Sequence, residues 1–433
     1  MRMAGARTTR WSIGPVRGLW LGLALGLGAC AGTPHGVLAP VAETVPGASR
    51  VEMLVATTRK SAANPGEMYS GERGPGLSYA DITVSIPPDS LREPGSVQWP
   101  KSLPGNPATD FVTLKAEPLD GIEATGRLGR GTRAGKRHAL VFVHGFNNRF
   151  EDAVFRFAQI VHDTGADVVP VLFTWPSRGS VLAYGYDRES TNYSRNALEG
   201  VLRRLARSPE VGEVTVLAHS MGNWLALESL RQMAIRDGRV APKIRNVVLA
   251  APDVDMDLAR EAFRDMGPTR PKLSLFVSQD DNALAASRLV WGSAGARLGA
   301  IDPEAEPYRS ELARENIAVL NLTKQQSADS LNHGKFAGSP QLVALLGNRL
   351  AQGQTMTDSR VGLGDRIVQM TTGAAATVGT AAGLAVSAPV AVIDPQSRES
   401  YGDHLTSLGR NLGETAEGAA GLATAPARGL GGR

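Results

Sequence analysis

The sequence predicts an α/β fold with a mostly parallel central sheet and helices on both faces. Between residues 138 and 352, short apolar stretches of strand character alternate with stretches of helical periodicity. Strands that alternate with helices in this way form parallel βαβ units in a single sheet. The stretch ALVFV is continuously apolar, as expected of a strand that is buried on both faces. Polar motifs follow several strands directly, at the edge where open α/β sheets bind their ligands.

The charge of the chain gives no support for a nucleic-acid partner. The formal net charge of the 433 residues is +4, and four arginines before residue 30 account for all of it. The chain without this leader is therefore neutral, whereas binding to a nucleic-acid backbone needs a basic surface. The hydrophobic content of 42% is enough for a sizeable core.

Residues 1–29 have the features of an exported leader: arginines, an apolar run and then small residues. The apolar run is too short to span a bilayer. It ends in LGAC, with Cys30 as the only cysteine of the chain, and this motif resembles the bacterial lipoprotein box. The resemblance implies a signal peptide over 1–29 and acylation of Cys30. Palmitate is among the acyl groups expected on this cysteine. An ordinary cleaved signal with an incidental cysteine is the alternative.

The lipoprotein resemblance also implies a location. Ala31 rather than an aspartate follows the cysteine, which in lipoproteins favours the outer membrane, here facing the periplasm. Residues 30–50 are predicted to be the lipidated anchor and a flexible linker, because 31–50 contain three prolines and little apolar periodicity.

The catalytic domain is predicted over residues 51–352. It begins with two strand-like segments, VEMLVATT and ADITVSIP, which are expected to form one edge of the sheet. The strands that follow are ALVFV, VVPVLFTW, EVTVLAH, IRNVVLAAP, KLSLFVS and NIAVLNLT. Helices are predicted between them at about 151–165, 192–207, 221–235 and 255–264, then from 282 and over 339–352.

Residues 353–433 are predicted to be a Gly- and Ala-rich tail of low complexity. Within it, residues 367–393 carry no charge, and this length is sufficient to span a bilayer. The run consists mostly of Ala, Gly, Thr and Val, whose transfer into a membrane is only weakly favourable. A low-complexity tail or an interfacial helix is therefore favoured over a membrane span.

The motif AHSMG places Ser220 between the strand EVTVLAH and an apolar helix. It departs from the G-x-S-x-G nucleophile elbow only at Ala218. Small residues two positions before and after the serine allow a sharp turn, and Gly222 meets this need fully. The sequence thus predicts Ser220 as a nucleophile, and its alternative is a serine that only caps the helix.

A serine nucleophile needs a base within hydrogen-bond reach and a carboxylate that orients this base. His333 follows the last strand and is the predicted base; the competing histidines are His35, His138, His162, His219 and His404. Two adjacent carboxylates, Asp280 and Asp281, follow the strand KLSLFVS, and Asp253 and Asp255 follow the preceding strand. Asp281 is preferred, and the other three remain open.

The oxyanion hole is expected to use two backbone amides. One belongs to Met221, directly after the nucleophile, and the other to Phe146 in the loop after ALVFV. Gly145 allows that loop to turn. His144 lies in the wrong loop for the base and is predicted to be structural. No cluster of His, Asp or Glu has convincing metal-ligand spacing in the sequence, so neither a metal nor another cofactor is expected.

Several motifs together resemble a bacterial family of predicted α/β-hydrolases, long catalogued as a domain of unknown function and often described as esterase- or lipase-like. They are ATTRK, ITVSIPP, VFVHGFNN, FTWPSRGS, YGYDRES, VTVLAHSMGNW, LAAPDVDMD, VSQDDNAL and NHGKF. The resemblance covers about residues 50–350. It implies the α/β-hydrolase fold, tolerates Ala218 in the elbow and assigns the triad acid to Asp281. NHGKF lacks the serine that often follows the family histidine.

The leading functional prediction is a serine hydrolase that cleaves carboxylic esters, of small molecules or lipids, through an acyl-enzyme. The alternative is a catalytically silent α/β-hydrolase-fold lipoprotein that acts as an envelope binding or scaffold protein. The aromatic residues Trp175, Tyr184 and Tyr186 stand in one loop after a strand. One interpretation is that they line the cleft or form a lid. The other, slightly favoured, is that they pack under the loop.

Overall fold

The computed structural model describes residues 33–129, 137–290, 295–325 and 329–351. The predicted signal peptide, Cys30 and the predicted tail over 353–433 lie outside these residues. Within the described ranges, none of the helices combines the length and the apolarity that a membrane crossing requires.

A sheet of nine strands lies at the centre of the described residues. The strands are β1 Ser49–Ser61, β2 Tyr69–Ile86, β3 Val112–Leu119, β4 Arg137–Val143, β5 Val169–Thr174, β6 Val211–His219, β7 Ile244–Ala250, β8 Lys272–Val277 and β9 Ala318–Asn321. Their order across the sheet is β3-β2-β1-β5-β4-β6-β7-β8-β9. Strand β2 pairs antiparallel with β1 and β3, and every other pair is parallel. The predicted mostly parallel sheet is thus confirmed.

The helices connect these strands. They are α1 Gly121–Gly129, α2 Phe150–Thr164, α3 Tyr184–Arg207, α4 Gly222–Asp237, α5 Met256–Met266, α6 Asn282–Val290, α7 Tyr308–Arg314, α8 Lys335–Gly338 and α9 Pro340–Ala351. Alternate side chains of a strand point to opposite faces of the sheet. In β4, Val141 joins a core cluster with α3, α4 and α5, whereas Phe142 joins a cluster with α2 and α9. Helices therefore cover both faces, as predicted.

Several elements differ from the sequence prediction, which did not include the short helices α1, α7 and α8. The edge of the sheet contains a third strand, β3, whose exposed second half, with Glu117, lacks the apolar alternation of a typical strand. Helix α3 begins at Tyr184 rather than near residue 192. Its first turns bury polar side chains, among them Asp187, Ser190 and Thr191, so apolar periodicity does not reveal them.

The segment 33–50 packs against the domain. Val37 and Leu38 are buried in the core cluster that also contains α2, and the Leu38 N–H donates to the Gly66 carbonyl at 2.9 Å. The prediction of a flexible linker is therefore wrong for Val37 and Leu38, whereas residues 42–44 of the same segment are exposed. Proline content suggested an extended spacer, but the adjacent apolar pair finds a place in the core, and its burial is favourable.

Candidate active site

Ser220 occupies the turn between β6 and α4 with a backbone φ of 53°. This left-handed conformation is uncommon for a residue that carries a side chain. A helix N-cap residue instead has extended backbone, and its side-chain oxygen accepts a bond from the first turn. In α4 the cap position is Met221, and no side chain caps the helix. The N-cap alternative for Ser220 is therefore wrong, and the turn has the strained geometry of a nucleophile elbow.

The elbow and the loop after β4 approach each other so closely that only glycine fits at two positions. A Cβ atom on Gly222 would lie 2.3 Å from the carbonyl oxygen of His144. A Cβ atom on Gly145 would lie 2.8 Å from the Cβ of Ser220. Gly222 therefore has no room for a side chain, and the atoms that exclude one belong to Val143 and His144. The two glycines allow the predicted oxyanion loop to lie against the serine.

Two backbone amides near Ser220 are free to donate. Among the described residues, neither the Phe146 N–H nor the Met221 N–H has a hydrogen-bond partner. The loop that carries Phe146 is held by Asn148, whose side-chain amide donates to the Phe146 carbonyl at 2.8 Å. The predicted oxyanion donors therefore lie on the two segments that meet at the elbow.

His333 and Asp281 form a close pair. The His333 Nδ1–H donates to Asp281 Oδ2 at 2.7 Å, which leaves Nε2 as the basic nitrogen of the neutral ring. The carboxylate is fixed from its other side, because Asp281 Oδ1 accepts the Leu284 N–H at 3.0 Å. Asp281 is only 2% exposed. The structure thus brings together the predicted base and the preferred acid.

The base also contacts the elbow. The rings of His219 and His333 lie 4.7 Å apart between centroids, and the His219 Nε2–H donates to the His333 carbonyl at 3.3 Å. Because His219 directly precedes Ser220, this contact brings the loop of His333 to the elbow. In the described part of the chain, no hydrogen bond joins Ser220 Oγ to His333. Such bonds are often long without substrate and tighten when it binds.

The other three candidate acids have different partners. Asp280 accepts from the ammonium of Lys335 at 2.6 Å. Asp253 pairs with the Arg297 guanidinium, with 3.3 Å between Nε and Oδ1. Asp255 caps α5, since its side chain accepts a backbone N–H of the first turn at 2.9 Å. Of these four carboxylates, only Asp281 has a hydrogen bond to the base.

His144 hydrogen-bonds to the backbone on both sides of its ring, which agrees with the predicted structural role. Its Nδ1–H donates to the Gly145 carbonyl at 2.8 Å, and its Nε2 accepts the Trp175 N–H at 3.2 Å. Burial, and then the nearby Arg59 charge, lower the pKa of His144 to about 3. The ring is therefore neutral and holds the backbone of the predicted oxyanion loop.

The aromatic residues that follow β5 are Trp175 in the loop and Tyr184 and Tyr186 in the first turn of α3, and they divide between packing and the site. Trp175 is fully buried, so the favoured packing interpretation holds for it. The hydroxyl of Tyr186 donates to the surface carboxylate of Glu72 at 3.3 Å. The hydroxyl of Tyr184 donates to Asp253 at 2.8 Å. The Asp253 N–H in turn donates to the carbonyl of the elbow serine at 3.2 Å, so Tyr184 lies beside the site.

Arg59 is a residue to which the sequence analysis gave no role. Its guanidinium is buried and donates to the carbonyls of Ser177 and Asn148, at 2.8 Å each. Burial lowers the pKa of Arg59 to about 10, so it remains charged at neutral pH. Arg59 thus connects β1 to the predicted oxyanion loop. It lies in the motif ATTRK, but no sequence pattern distinguishes a buried arginine from an exposed one.

The pKa of His333 predicts the acid limb of the pH profile. Burial lowers this pKa, but the charge of Asp281 and its hydrogen bond outweigh burial, with smaller support from Asp253 and Asp329, so the pKa lies above its ordinary 6.5. A general base acts only when neutral. We therefore expect kcat/KM for an ester to fall as the pH decreases through a value above 6.5, the ordinary pKa of the ring.

The variant Asp281→Asn checks the cause of this shift. It removes the charge that raises the pKa of His333, so the acid limb of kcat/KM should move to lower pH. The measurement is a pH series of initial rates on p-nitrophenyl acetate for both proteins. An acid limb at the same pH in both would contradict the assignment of this limb to the pair of His333 and Asp281.

Comparisons with known proteins give relatives of low identity. An uncharacterized protein of Nostoc sp. is 24% identical over 123 residues, which cover 22% of this chain. The match spans about a third of that curated relative, 32% of its length. A fungal esterase from Rhizomucor miehei is 15% identical, with 71% of this chain and 85% of that chain covered, at a TM-score of 0.34.

An esterase from Pyrobaculum calidifontis is 11% identical, with 72% and 86% of the two chains covered, at a TM-score of 0.31. At these identities and TM-scores, neither esterase indicates what this protein acts on. The family comparison is more informative. Residues 126–349, slightly more than half of the chain, match the family described as alpha/beta hydrolase of unknown function (DUF900). The match includes the elbow, both strand-end carboxylate pairs and His333, and the chain therefore belongs to this family of α/β hydrolases.

Proposed function

We propose that this protein is a serine hydrolase that cleaves carboxylic esters through an acyl-enzyme intermediate. The observation that carries the proposal is the strained turn at Ser220 together with the 2.7 Å hydrogen bond between His333 and the buried Asp281. A hydroxyl is a weak nucleophile near neutral pH and needs such an oriented base. Non-glycine residues in strained backbone conformations are concentrated at functional sites.

The proposed reaction follows from the roles of these groups. His333 Nε2 takes the proton of Ser220 Oγ, and Oγ attacks the ester carbonyl carbon. The resulting oxyanion accepts hydrogen bonds from the Phe146 and Met221 amides, and one such donor contributes about 100- to 1,000-fold in rate. His333 then gives its proton to the leaving alcohol. A water molecule then gives one proton to His333 and attacks the acyl carbon. The carboxylic acid leaves, and His333 passes this proton to Ser220 Oγ.

Asp281 keeps the imidazole in the productive tautomer throughout. Its carboxylate accepts the Nδ1–H, which leaves the lone pair of Nε2 available for the serine proton, and its charge stabilises the imidazolium that forms. The proposed substrates are uncharged esters. The chain after the leader is neutral overall, which gives no reason to expect a strongly charged substrate.

The proposal includes an anchor in the bacterial envelope. Its support is the LGAC motif, in which Cys30 is the proposed acylation site, on the outer membrane facing the periplasm. Stable anchoring needs more than one acyl chain, as a multiply acylated cysteine provides. Metabolic labelling with an alkyne palmitate checks this step. The label should be absent from Cys30→Ala, and its retention would contradict the assignment.

A fluorophosphonate probe tests the hydrolase proposal directly, because it reacts only with an activated serine. We expect stoichiometric labelling of the purified protein and a modified tryptic peptide that contains Ser220. Heat-unfolded protein is the control and should not be labelled. A folded protein that neither reacts with the probe nor hydrolyses p-nitrophenyl butyrate would favour the scaffold alternative.

A further inference from the structure

Two charged residues beside the predicted acid and base have no role in the proposed reaction. Asp280 directly precedes Asp281, and Lys335 lies two residues after His333. The Lys335 side chain is only 2% exposed. An ammonium group that leaves water is costly unless it is paired and hydrogen-bonded. Its burial at this position therefore requires acceptors that replace water.

The ammonium of Lys335 is surrounded by acceptors from two strand ends. Its Nζ donates to both oxygens of Asp280, at 2.6 and 2.9 Å. It also donates to the hydroxyl of Ser278 and the carbonyl of Leu322, at 3.0 Å each. Ser278 and Asp280 follow β8, whereas Leu322 follows β9. One side chain thus links the loop of the acid to the end of the last strand.

Further hydrogen bonds hold the loop of the base. The Asn332 side-chain amide donates to the backbone carbonyl and the carboxylate of Asp280, at 3.3 Å each. The carboxylate of Asp329 accepts the backbone N–H groups of His333 and Gly334, at 3.0 and 2.7 Å. The acid loop and the base loop are therefore joined at several points around the His333–Asp281 bond.

We propose that the Asp280–Lys335 ion pair is a positioning device that keeps His333 aligned with Asp281 and Ser220. The inference rests on the proposed function and deepens it. Asp280 and Lys335 act through the acid and the base, so they are positioning residues. Taking the Lys335 ammonium out of water offsets much of what its pairing contributes to stability, whereas a 1 Å misplacement of a reacting group costs about 100-fold in rate.

The variant Lys335→Met tests the proposal. Methionine fills much of the same space without charge, and the freed Asp280 carboxylate, 41% exposed, can be hydrated. We expect kcat for p-nitrophenyl butyrate to fall about 10- to 100-fold with little change in KM, because alignment rather than binding is lost. The acid limb of kcat/KM is read in the double variant with Asp280→Asn, which removes both charges. There it should move to lower pH, since a looser contact with Asp281 raises the His333 pKa less.

A matched control exists at the opposite end of the sheet. The ammonium of Lys243 donates to the carbonyls of Ser208 and Val211, at 2.6 Å each. Lys243→Met removes a similar anchored ammonium, but far from the elbow. It should lower thermal stability without changing kcat or the pH profile. Loss of activity by the same factor in both variants would indicate a general effect of stability and overturn the proposal.

Asp280→Asn is the second variant, used with the same readouts if Lys335→Met does not fold. Coupling is checked by the double variant, which should be no slower than Lys335→Met alone, because both changes remove one interaction. Folded single variants with the kcat of the parent protein, or a double variant with its acid limb, would overturn the proposal.

A spectroscopic readout separates this inference from the proposed hydrolase activity. The Nδ1 proton of a histidine that bonds closely to a carboxylate gives a low-field proton NMR signal. We expect this signal in the parent protein and in Lys243→Met, and its loss or displacement in Lys335→Met. A parent protein that shows the signal but does not react with fluorophosphonate would contradict the hydrolase proposal alone. An unchanged signal in Lys335→Met would contradict the positioning role alone.

Discussion

Ser220→Ala is expected to lower kcat for p-nitrophenyl butyrate by about 10⁶-fold, the scale seen when a serine nucleophile is removed from a triad. The proposed acyl-enzyme cannot form without Oγ, and the residual rate would come from the oxyanion donors and substrate binding. Folding should be retained, because the Ser220 side chain has no hydrogen bond among the described residues. The φ of 53° suits alanine no worse than serine, so the melting temperature should change little.

Ser229→Ala is the matched control. Ser229 lies on α4 and its buried hydroxyl donates to the Leu225 carbonyl at 2.7 Å. This change should leave kcat unchanged and alter the free energy of unfolding by no more than about 1 kcal/mol, the net value of one hydrogen bond. The measurement is steady-state kinetics on samples of equal circular dichroism. If kcat of Ser220→Ala were within tenfold of the parent value, the result would contradict the role of Ser220 as the nucleophile.

Gly222→Ala is expected to destabilise the protein by about 3 kcal/mol or more, as strained overpacking does in a rigid core. The added Cβ would lie 2.3 Å from the His144 carbonyl oxygen and 2.8 Å from that of Val143. Both are backbone atoms, so relief requires movement of β4 or of the loop after it. The same movement shifts Phe146, and kcat should fall about 100-fold in the protein that still folds.

The control for this prediction is Gly200→Ala on α3. A Cβ at Gly200 would have no atom within 4 Å, and alanine in a helix interior is favoured over glycine by about 0.5–1 kcal/mol. This variant should therefore be as stable as the parent or slightly more so, with equal kcat. Urea unfolding of both variants measures the difference. Equal stabilities for Gly222→Ala and Gly200→Ala would contradict the close contact between Gly222 and the His144 carbonyl.

The fold and the elbow were predictable because their signals are local. Continuous apolar runs mark the parallel strands, and the pattern of small residues around Ser220 marks the sharp turn. His333 was identified by its place after the last strand. Parallel strands bring their following loops to one edge of the sheet, so distant positions in the sequence meet in the structure.

The partners of the carboxylates were not predictable from such patterns. Asp280 and Asp281 follow the same strand, and the resemblance to the family strengthened the preference for Asp281 without showing the partner of either. In the structure they bind Lys335 and His333, which are themselves two residues apart. Asp255 caps a helix, whereas Asp280 and Asp253 pair with cations. Their partners, Lys335 and Arg297, become visible only through long-range packing.

The docked N-terminal segment sets the reach of the proposed anchor. Thr33 is fixed to the start of α2, where its hydroxyl donates to Asp152 at 2.7 Å and its carbonyl accepts from Arg149 at 2.8 Å. Three peptide units separate it from Cys30, and a fully extended chain of this length spans only about 10 Å. The tether of an acylated protein would thus be short. The domain would stay close to the membrane surface and would encounter mainly molecules within a few nanometres of the leaflet that holds it.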